Sequence, residues 1–394
     1  MENGKAFQIG AGNIGRALIG EVMHEAGMHV TFADVNETVV GAINNQKGYT
    51  VDVVSSEGRK QSFIDNVDAV LMQDEAAVIE QIVKADIITT AVGANVLPRI
   101  APLLAKGLVE RLIRRPKDNA HIAVIACENI EQNTELLRDY ILASLPDQDW
   151  RTRILGQISF PNCAVDRIVP NATTDSSDPL GVVTEAYYQL AVDTTALKSA
   201  LPDIAGIQLA DDLPAVLAQK FFTLNGAHAA VAYWGYLKGC RTIDEAMQDS
   251  AIAALARGLM DEVAAVLAVT YPSITQDQQQ AFAKKTLQRF MNPYLQDQPE
   301  RVGREPKRKL GGADRLLKPA ILAIEHGQTP ANLTMAIVGG LLFSSPQDVQ
   351  AKELHQDIYT NGIESALVAV TGLKQAHPIV RQAAASYRLA ELAA

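Results

Sequence analysis

The chain has 394 residues, which is long enough for two domains that each bury a full core. Its formal net charge of -10 argues against nonspecific binding to nucleic acid, so a negatively charged ligand would need a local group of basic residues. The longest apolar run, at residues 335–343, is too short to span a bilayer, and the first residues lack a signal-peptide pattern, so we expect a cytoplasmic protein with no membrane partner.

The chain opens on the pattern of a strand, a tight turn, a helix and a second strand. Its turn reads Gly10-Ala11-Gly12-Asn13-Ile14-Gly15, directly after a short apolar strand. In such a G-x-G-x-x-G pattern Gly10 permits the turn, Gly12 lets the backbone approach a pyrophosphate, and Gly15 lets the helix pack closely on the strand. These six residues are therefore predicted to bind a dinucleotide. The alternative is a glycine turn in another kind of α/β protein.

Asp34 ends the second predicted strand. At this position a carboxylate can accept hydrogen bonds from the adenosine ribose hydroxyls. Val35 and Asn36 follow it instead of an arginine, so a 2′-phosphate would meet an uncompensated negative charge. The sequence therefore predicts NAD, and not NADP, as the cofactor.

The alternation of strands and helices continues to about residue 147, with a small hairpin predicted at residues 49–64. A buried strand at residues 86–91 runs into Val92 and Gly93, which would lie beside the cofactor because ligands bind at the carboxyl ends of parallel strands. The next apolar strand, at residues 121–126, leads to Asn129. This side chain either donates its amide to a substrate oxygen or caps the following helix.

Beyond residue 147 the pattern changes to strands without intervening helices. They are predicted at residues 154–160, 164–169 and 181–192, where they would extend the sheet and lead out of the first domain. The adjacent charges of Asp166 and Arg167, flanked by apolar residues, indicate either a buried ion pair that fixes loops or a contact with substrate.

From about residue 195 the pattern is almost entirely helical, which divides the chain into domains at 1–195 and 196–394. A predicted helix at residues 213–234 carries Lys220, Asn225 and His228. At about 100° per residue, Asn225 lies roughly 140° and His228 roughly 80° around the helix from Lys220, so the three polar groups point into one sector. A lysine can accept a proton, an amide can stabilise an alkoxide, and an imidazole can hold a neighbouring hydroxyl. The alternative is a set of solvated side chains.

Residues 301–318 carry a local excess of basic side chains over only two acidic ones. The basic residues are Arg301, Arg304, Lys307, Arg308, Lys309, Arg315 and Lys318. Arginine forks match phosphate oxygens, and the glycines and proline of this segment suggest a shaped loop. We therefore name Arg304, Arg308 and Lys309 as candidate contacts to a substrate phosphate. The alternative is a solvated basic loop.

Metal and disulfide chemistry have no clear signal in the sequence. The three cysteines, Cys127, Cys163 and Cys240, have no paired spacing, which argues against a disulfide framework and a structural zinc site. We predict no metal site.

Together these motifs resemble the polyol-specific long-chain dehydrogenase/reductase (mannitol dehydrogenase) family. In chain order they are Gly10-Ala11-Gly12-Asn13-Ile14-Gly15-Arg16, Phe32-Ala33-Asp34-Val35-Asn36, Thr89-Thr90-Ala91-Val92-Gly93, Ala126-Cys127-Glu128-Asn129, Ala164-Val165-Asp166-Arg167-Ile168-Val169-Pro170, Lys220-x4-Asn225-x2-His228 and Arg301-Val302-Gly303-Arg304-x-Pro306-x-Arg308-Lys309-Leu310. The resemblance runs from about residue 5 to the end of the chain. It implies an α/β fold with an N-terminal Rossmann-type dinucleotide-binding domain and extended sheet, followed by a mostly α-helical domain.

The resemblance also implies a metal-independent, NAD-dependent mechanism. In this mechanism Lys220 is the general base, Asn129 and Asn225 form the oxyanion site, and His228 orients substrate hydroxyls. Glu128 stands where relatives that act on the free sugar usually carry aspartate, which agrees with a phosphorylated substrate. The implied reaction interconverts D-mannitol 1-phosphate and D-fructose 6-phosphate. The alternatives are a sister activity on unphosphorylated mannitol or a hexuronate, and an NAD-sensing protein without turnover.

Overall fold

A computed structural model of the chain describes residues 4–115, 122–170 and 179–393. It divides into two compact units, Met1–Val216 and Leu217–Ala394. The first unit is built on a parallel sheet and the second is almost wholly helical, so the predicted fold class is confirmed. Within the described ranges, none of the helices combines the length and the apolar character needed to cross a membrane.

The first unit is organised around a six-stranded parallel sheet. Its elements are β1 Lys5–Ile9, α1 Glu21–Glu25, β2 His29–Asp34, α2 Glu37–Gln46, β3 Tyr49–Ser55, β4 Gly58–Ile64, β5 Val67–Leu71, α3 Glu75–Lys84, β6 Ile87–Thr90, α4 Leu97–Arg114, β7 Ile122–Ala126, α5 Asn133–Ala143, α6 Gln148–Gln157, β8 Ile158–Ser159, β9 Cys163–Asp166, β10 Val182–Glu185, β11 Gln189–Asp193 and β12 Gln208–Ala210. The strand order is β5-β2-β1-β6-β7-β8, so the direction of winding reverses between β1 and β6. Ligands of such sheets bind outside the carboxyl ends of the strands at this reversal.

Both faces of this sheet are covered, which explains why its strands read as continuous apolar runs. Along β1, Ala6 belongs to one hydrophobic core, while Phe7 and Ile9 belong to the core on the opposite face. All three side chains are buried. The strand ends are therefore rigid supports for the loops that leave them.

The predicted strand at residues 154–160 is mostly helix, so that prediction is wrong for residues 154–157. The Asp147 side chain accepts a hydrogen bond from the Trp150 backbone N–H at 3.0 Å and caps α6, which then runs to Gln157. Only the two residues of β8 remain to pair with β7.

Two small three-stranded sheets complete the first unit, in the orders β10-β3-β4 and β12-β11-β9. The predicted hairpin is confirmed, because β3 and β4 pair antiparallel with Tyr49 opposite Ile64. The predicted strand at residues 181–192 is two strands in different sheets, β10 and β11. Because β12 pairs with β11, residues 208–210 lie with the first unit.

The second unit is a bundle of helices around one core. They are α7 Leu213–Ala218, which begins just before the unit, α8 Ala227–Leu237, α9 Ile243–Gln248, α10 Ser250–Thr270, α11 Gln276–Phe290, α12 Pro299–Gly303, α13 Pro306–Lys309, α14 Leu317–Glu325, α15 Ala331–Leu342, α16 Val349–Asn361, α17 Ile363–Thr371 and α18 Pro378–Ala393. Fully buried side chains of α8, α10 and α15 meet in the core, among them Val231, Leu259 and Ile337. Gly362, at φ +78°, ends α16 and separates it from α17.

Candidate active site

The glycine turn after β1 leaves one stretch of backbone open to a ligand. Gly10 has φ +97°, a conformation that favours glycine, and a Cβ on Gly15 would lie 2.1 Å from the Gly10 carbonyl oxygen. At Gly12, by contrast, an added Cβ would meet no atom within 4 Å. The turn therefore has the shape that a pyrophosphate requires, with close packing behind it and an open backbone in front.

Two buried polar side chains hold this turn. Gln8 donates from Nε2 to the Gly10 carbonyl at 3.0 Å, and Gln8 Oε1 accepts from Thr89 Oγ1 at 2.6 Å. Arg16 donates to the carbonyls of Ala11 and Leu180. Sequence reasoning assigned Gln8 no role, although a single polar residue in an apolar strand was the available signal. Of the other predicted turn residues, Ala11 is buried, while Asn13 and Ile14 are partly exposed at the start of the helical segment that leads through Gly15–Gly20 into α1.

Asp34 ends β2, as predicted, and contacts the glycine turn. Its Oδ2 accepts from the Ala11 backbone N–H at 2.7 Å and its Oδ1 from that of Asn36 at 2.9 Å. Both bonds fix the carboxylate at the carboxyl end of β2, where hydroxyl donors suit it and a phosphate does not. This edge of the sheet therefore fits a dinucleotide without a 2′-phosphate.

Glu128 links the loop after β6 to the end of β7, and sequence reasoning gave it no such role. Its buried carboxyl accepts from Thr90 Oγ1 at 2.9 Å and from the Val92 backbone N–H at 3.0 Å. Burial raises the pKa of Glu128, although both donors oppose that effect. The carboxyl thus fixes the loop that carries Val92 and Gly93, the predicted cofactor contacts.

Asn129 follows Glu128 and is exposed. The helix-cap alternative for this residue is wrong, because α5 begins at Asn133 and its first amide groups have another acceptor. Asn162 Oδ1 accepts from the backbone N–H groups of Thr134 at 3.0 Å and Glu135 at 3.1 Å. The oxyanion role of Asn129 stays a prediction.

Lys220 and Asn225 lie in a π-helical segment, Gln219–Gly226. With roughly 4.4 residues per turn in place of 3.6, residues five apart are about 50° apart around the axis, not the 140° of an α-helix. The segment therefore brings Asn225 closer to the face of Lys220 than predicted. Lys220 is buried and Asn225 is partly exposed.

The π-helical segment is held by Gln279 of α11, another residue that sequence reasoning missed. Gln279 donates to Thr223 Oγ1 at 2.8 Å and accepts from Gln219 Nε2 at 2.9 Å. Behind the segment, a Cβ on Gly226 would lie 2.9 Å from the Arg315 carbonyl oxygen. These contacts support the wide turn that an isolated sequence would not adopt.

His228 follows the π-helical segment and stacks on Phe290, with the ring centroids 4.7 Å apart. Its Nε2 lies 3.3 Å from Asp297 Oδ2, and Arg301 also binds that carboxylate. Burial lowers the pKa of His228 more than Asp297 raises it, so the imidazole is neutral at pH 7. Sequence reasoning missed Asp297, because nothing in its local sequence relates it to His228.

The basic segment at residues 301–318 is mostly paired within the second unit. The pairs are Arg301 with Asp297, Lys307 with Glu353 at 3.1 Å, Arg308 with Glu305 at 2.8 Å and Arg315 with Asp314 at 2.6 Å. Lys309 is buried and donates to the Val302 carbonyl, and burial lowers its pKa. The role of Lys309 as a phosphate contact stays a prediction. Arg304 is exposed and has no hydrogen bond or ion pair with any described residue, while the Arg308 side chain is 47% exposed.

Arg167 has a structural partner, Glu21. Its guanidinium also donates to the carbonyls of Ala17 and Glu185, and its side chain is 1% exposed. A buried ion pair is therefore present at Arg167, but its partner is Glu21, a residue that the sequence pattern did not indicate. Among the described residues, no histidine, cysteine, aspartate and glutamate side chains gather in threes or more to hold a metal ion.

Comparisons with known proteins cover both units. The family model of the mannitol dehydrogenase Rossmann domain matches residues 4–206, and that of the mannitol dehydrogenase C-terminal domain matches residues 212–388. Pseudomonas fluorescens mannitol 2-dehydrogenase, in ternary complex with NAD and D-mannitol, has a TM-score of 0.79 at 20% identity over 98% of this chain and 92% of that one. D-sorbitol dehydrogenase in substrate-free form also scores 0.79, at 17% identity over 98% and 93% of the two chains.

Proposed function

The chain belongs to the mannitol dehydrogenase family, and from this premise we infer that it is a mannitol-1-phosphate 5-dehydrogenase. The reaction interconverts D-mannitol 1-phosphate and D-fructose 6-phosphate with NAD. One observation carries the choice of a phosphorylated sugar, and it concerns the basic segment. This segment begins with Arg301, which pairs with Asp297 beside His228. In the same segment, the Arg304 guanidinium is exposed and unpaired among the described residues. A phosphate oxygen is a natural acceptor for it.

The chemistry follows from the side chains of the second unit. NAD, when bound, supplies or accepts the hydride. Lys220 takes the proton of the reacting hydroxyl during oxidation and returns it to the ketone oxygen during reduction. Asn225, brought towards the face of Lys220 by the π-helical segment, donates its amide to the developing alkoxide. In the first unit, Asn129 follows β7 and is exposed, so its amide remains the other candidate donor that the resemblance implies.

The cofactor residues lie in the first unit. The open backbone at Gly12 and the fixed carboxylate of Asp34 suit the pyrophosphate and the adenosine ribose of NAD. Val92 and Gly93, held by Glu128, lie at the end of β6 where the winding of the sheet reverses.

The test is the loss of NADH absorbance with purified protein. D-fructose 6-phosphate is compared with D-fructose, and each assay is repeated with NADPH. We expect rapid oxidation of NADH by the phosphorylated sugar alone. Activity only with fructose or a keto-uronate would move the protein to a sister activity, and no turnover despite NADH binding would favour an NAD sensor.

Oxidation of unphosphorylated mannitol is the second candidate. The observation that favours it is the extensive pairing of the basic segment, which leaves few cations for a phosphate. The same assay decides between the two candidates.

Arg304→Ala is expected to raise the KM for D-fructose 6-phosphate by roughly 10- to 100-fold, because the variant loses the binding free energy of a hydrogen bond between charged groups. The kcat should stay within about threefold of the wild-type value. The matched control is Lys307→Ala, since Lys307 lies in the same segment but is paired with Glu353. An unchanged KM for Arg304→Ala would remove this residue from the phosphate site.

Asp34→Ser is expected to reduce the preference for NADH over NADPH by about tenfold or more, because it removes the charge that repels a 2′-phosphate. The ratio of kcat/KM for the two cofactors is the measurement. Asp74→Ser is the control, because Asp74 caps α3 by accepting from the Ala77 backbone N–H, a role that serine also performs. A preference that stays at the wild-type value in Asp34→Ser would show that another group selects the cofactor.

A further inference from the structure

Asp297 presents a buried carboxylate to His228 from the turn between α11 and α12. Its Oδ2 lies 3.3 Å from His228 Nε2, and its side chain is 3% exposed. Arg301 binds both oxygens, Nε to Oδ1 at 2.6 Å and a terminal nitrogen to Oδ2 at 2.7 Å. The Asp297 carbonyl also accepts from the Ile243 backbone N–H at 2.8 Å. Side chains of α8 and α12 and the backbone of α9 thus fix this one residue.

The charge state of Asp297 determines what it can do to the imidazole. Burial alone would raise the pKa of Asp297, but the hydrogen bonds from His228 and Arg301 hold it well below its usual range. An ionised carboxylate only accepts hydrogen bonds, so the proton between the two side chains belongs to Nε2 of His228.

The other ring nitrogen is then an acceptor. A neutral imidazole carries one proton, and with that proton on Nε2 the lone pair is on Nδ1. The ring cannot turn freely, because it stacks on Phe290. Within the described residues, no hydrogen bond to Nδ1 is formed.

We propose that Asp297 is a positioning residue, held by Arg301, that locks His228 in the tautomer whose Nδ1 accepts a hydrogen bond from a substrate hydroxyl. This proposal rests on the proposed function and deepens it. Because Nδ1 can only accept, the position it faces selects a hydroxyl over a carbonyl or a phosphate oxygen. An analogue without that hydroxyl would leave Nδ1 unpaired and bind its transition state less well.

The tautomer is measured directly by nitrogen-15 NMR of the full-length protein with labelled histidine. His228→Ala assigns the His228 signals by their disappearance. We expect the Nε2–H tautomer in the wild-type protein without substrate, and its loss in Asp297→Asn, where Arg301 binds the amide oxygen and the amide N–H group faces the ring. An Nδ1–H tautomer in the wild-type protein would overturn the proposal, even where the variant fails to fold. This readout does not depend on which sugar the protein uses.

A double-mutant cycle tests the consequence for turnover. Asp297→Asn is expected to lower kcat/KM for the active ketose roughly 10- to 100-fold in the wild-type background, and less than about twofold in His228→Ala. Asp249→Asn is the control, because asparagine also caps α10. Equal losses in both backgrounds would contradict the positioning role while leaving the proposed function intact. If no ketose were turned over, the proposed function would fail and the NMR result would still decide the tautomer.

Discussion

Lys220→Ala should lower kcat by about 10³-fold, within the range measured when a general acid or base is removed. Lys220 is a buried side chain in the π-helical segment of the second unit, whereas the predicted cofactor residues lie in the first. NADH should therefore bind Lys220→Ala with an affinity close to that of the wild-type protein. Stopped-flow absorbance gives the rate, and quenching of protein fluorescence gives the dissociation constant for NADH.

Two further measurements make the Lys220 experiment decisive. Lys238→Ala is the matched control, since Lys238 lies at the end of α8 and is paired with Asp249 at 2.5 Å on the surface. Added methylamine should restore part of the Lys220→Ala rate, because a free amine can enter the space left by the side chain. A variant with wild-type rates would remove Lys220 from the mechanism.

Asn225→Ala should lower kcat by about 10²- to 10³-fold, the usual loss when a single oxyanion donor is removed. Asn225→Asp, of nearly the same shape, should be at least as slow because it places a negative charge where the alkoxide forms. The loss should fall mainly on kcat, since the interaction strengthens only as charge develops. Thermal unfolding of both variants serves as the control. A loss confined to KM, or one explained by a lower Tm, would contradict the oxyanion role.

The sequence by itself predicted the parts of the site that depend on residues close together in the chain. The glycine turn and the loop at Val92 each follow a strand and Asp34 ends one, so an apolar strand pattern and the residues at its end were enough to predict them. Lys220, Asn225 and His228 could be predicted together because they lie within two or three turns of one predicted helix.

Two local predictions failed because another side chain bound the start of a helix. Asp147 caps α6, which then runs into the stretch predicted as a strand at residues 154–160. Asn162, distant in the chain, accepts from the amide groups at the start of α5 that Asn129 was a candidate to cap. The basic segment shows the same limit. The net charge of this segment is visible in the sequence. Whether its lysines are available to a ligand depends on the groups that bind them, Glu353 and the Val302 carbonyl.

Tertiary structure alone decided the surroundings of the side chains that we propose for the reaction. Gln279 of α11 supports the π-helical turn that shifts Asn225 towards the face of Lys220, and Asp297 meets His228 although 69 positions separate them in the chain. Hydrogen bonds between such residues cost the entropy of closing long loops, which only the packed cores can offset. The sequence therefore determined which chemical groups this protein carries, while the packing of its helices determined which of those groups are paired, buried or left free to act.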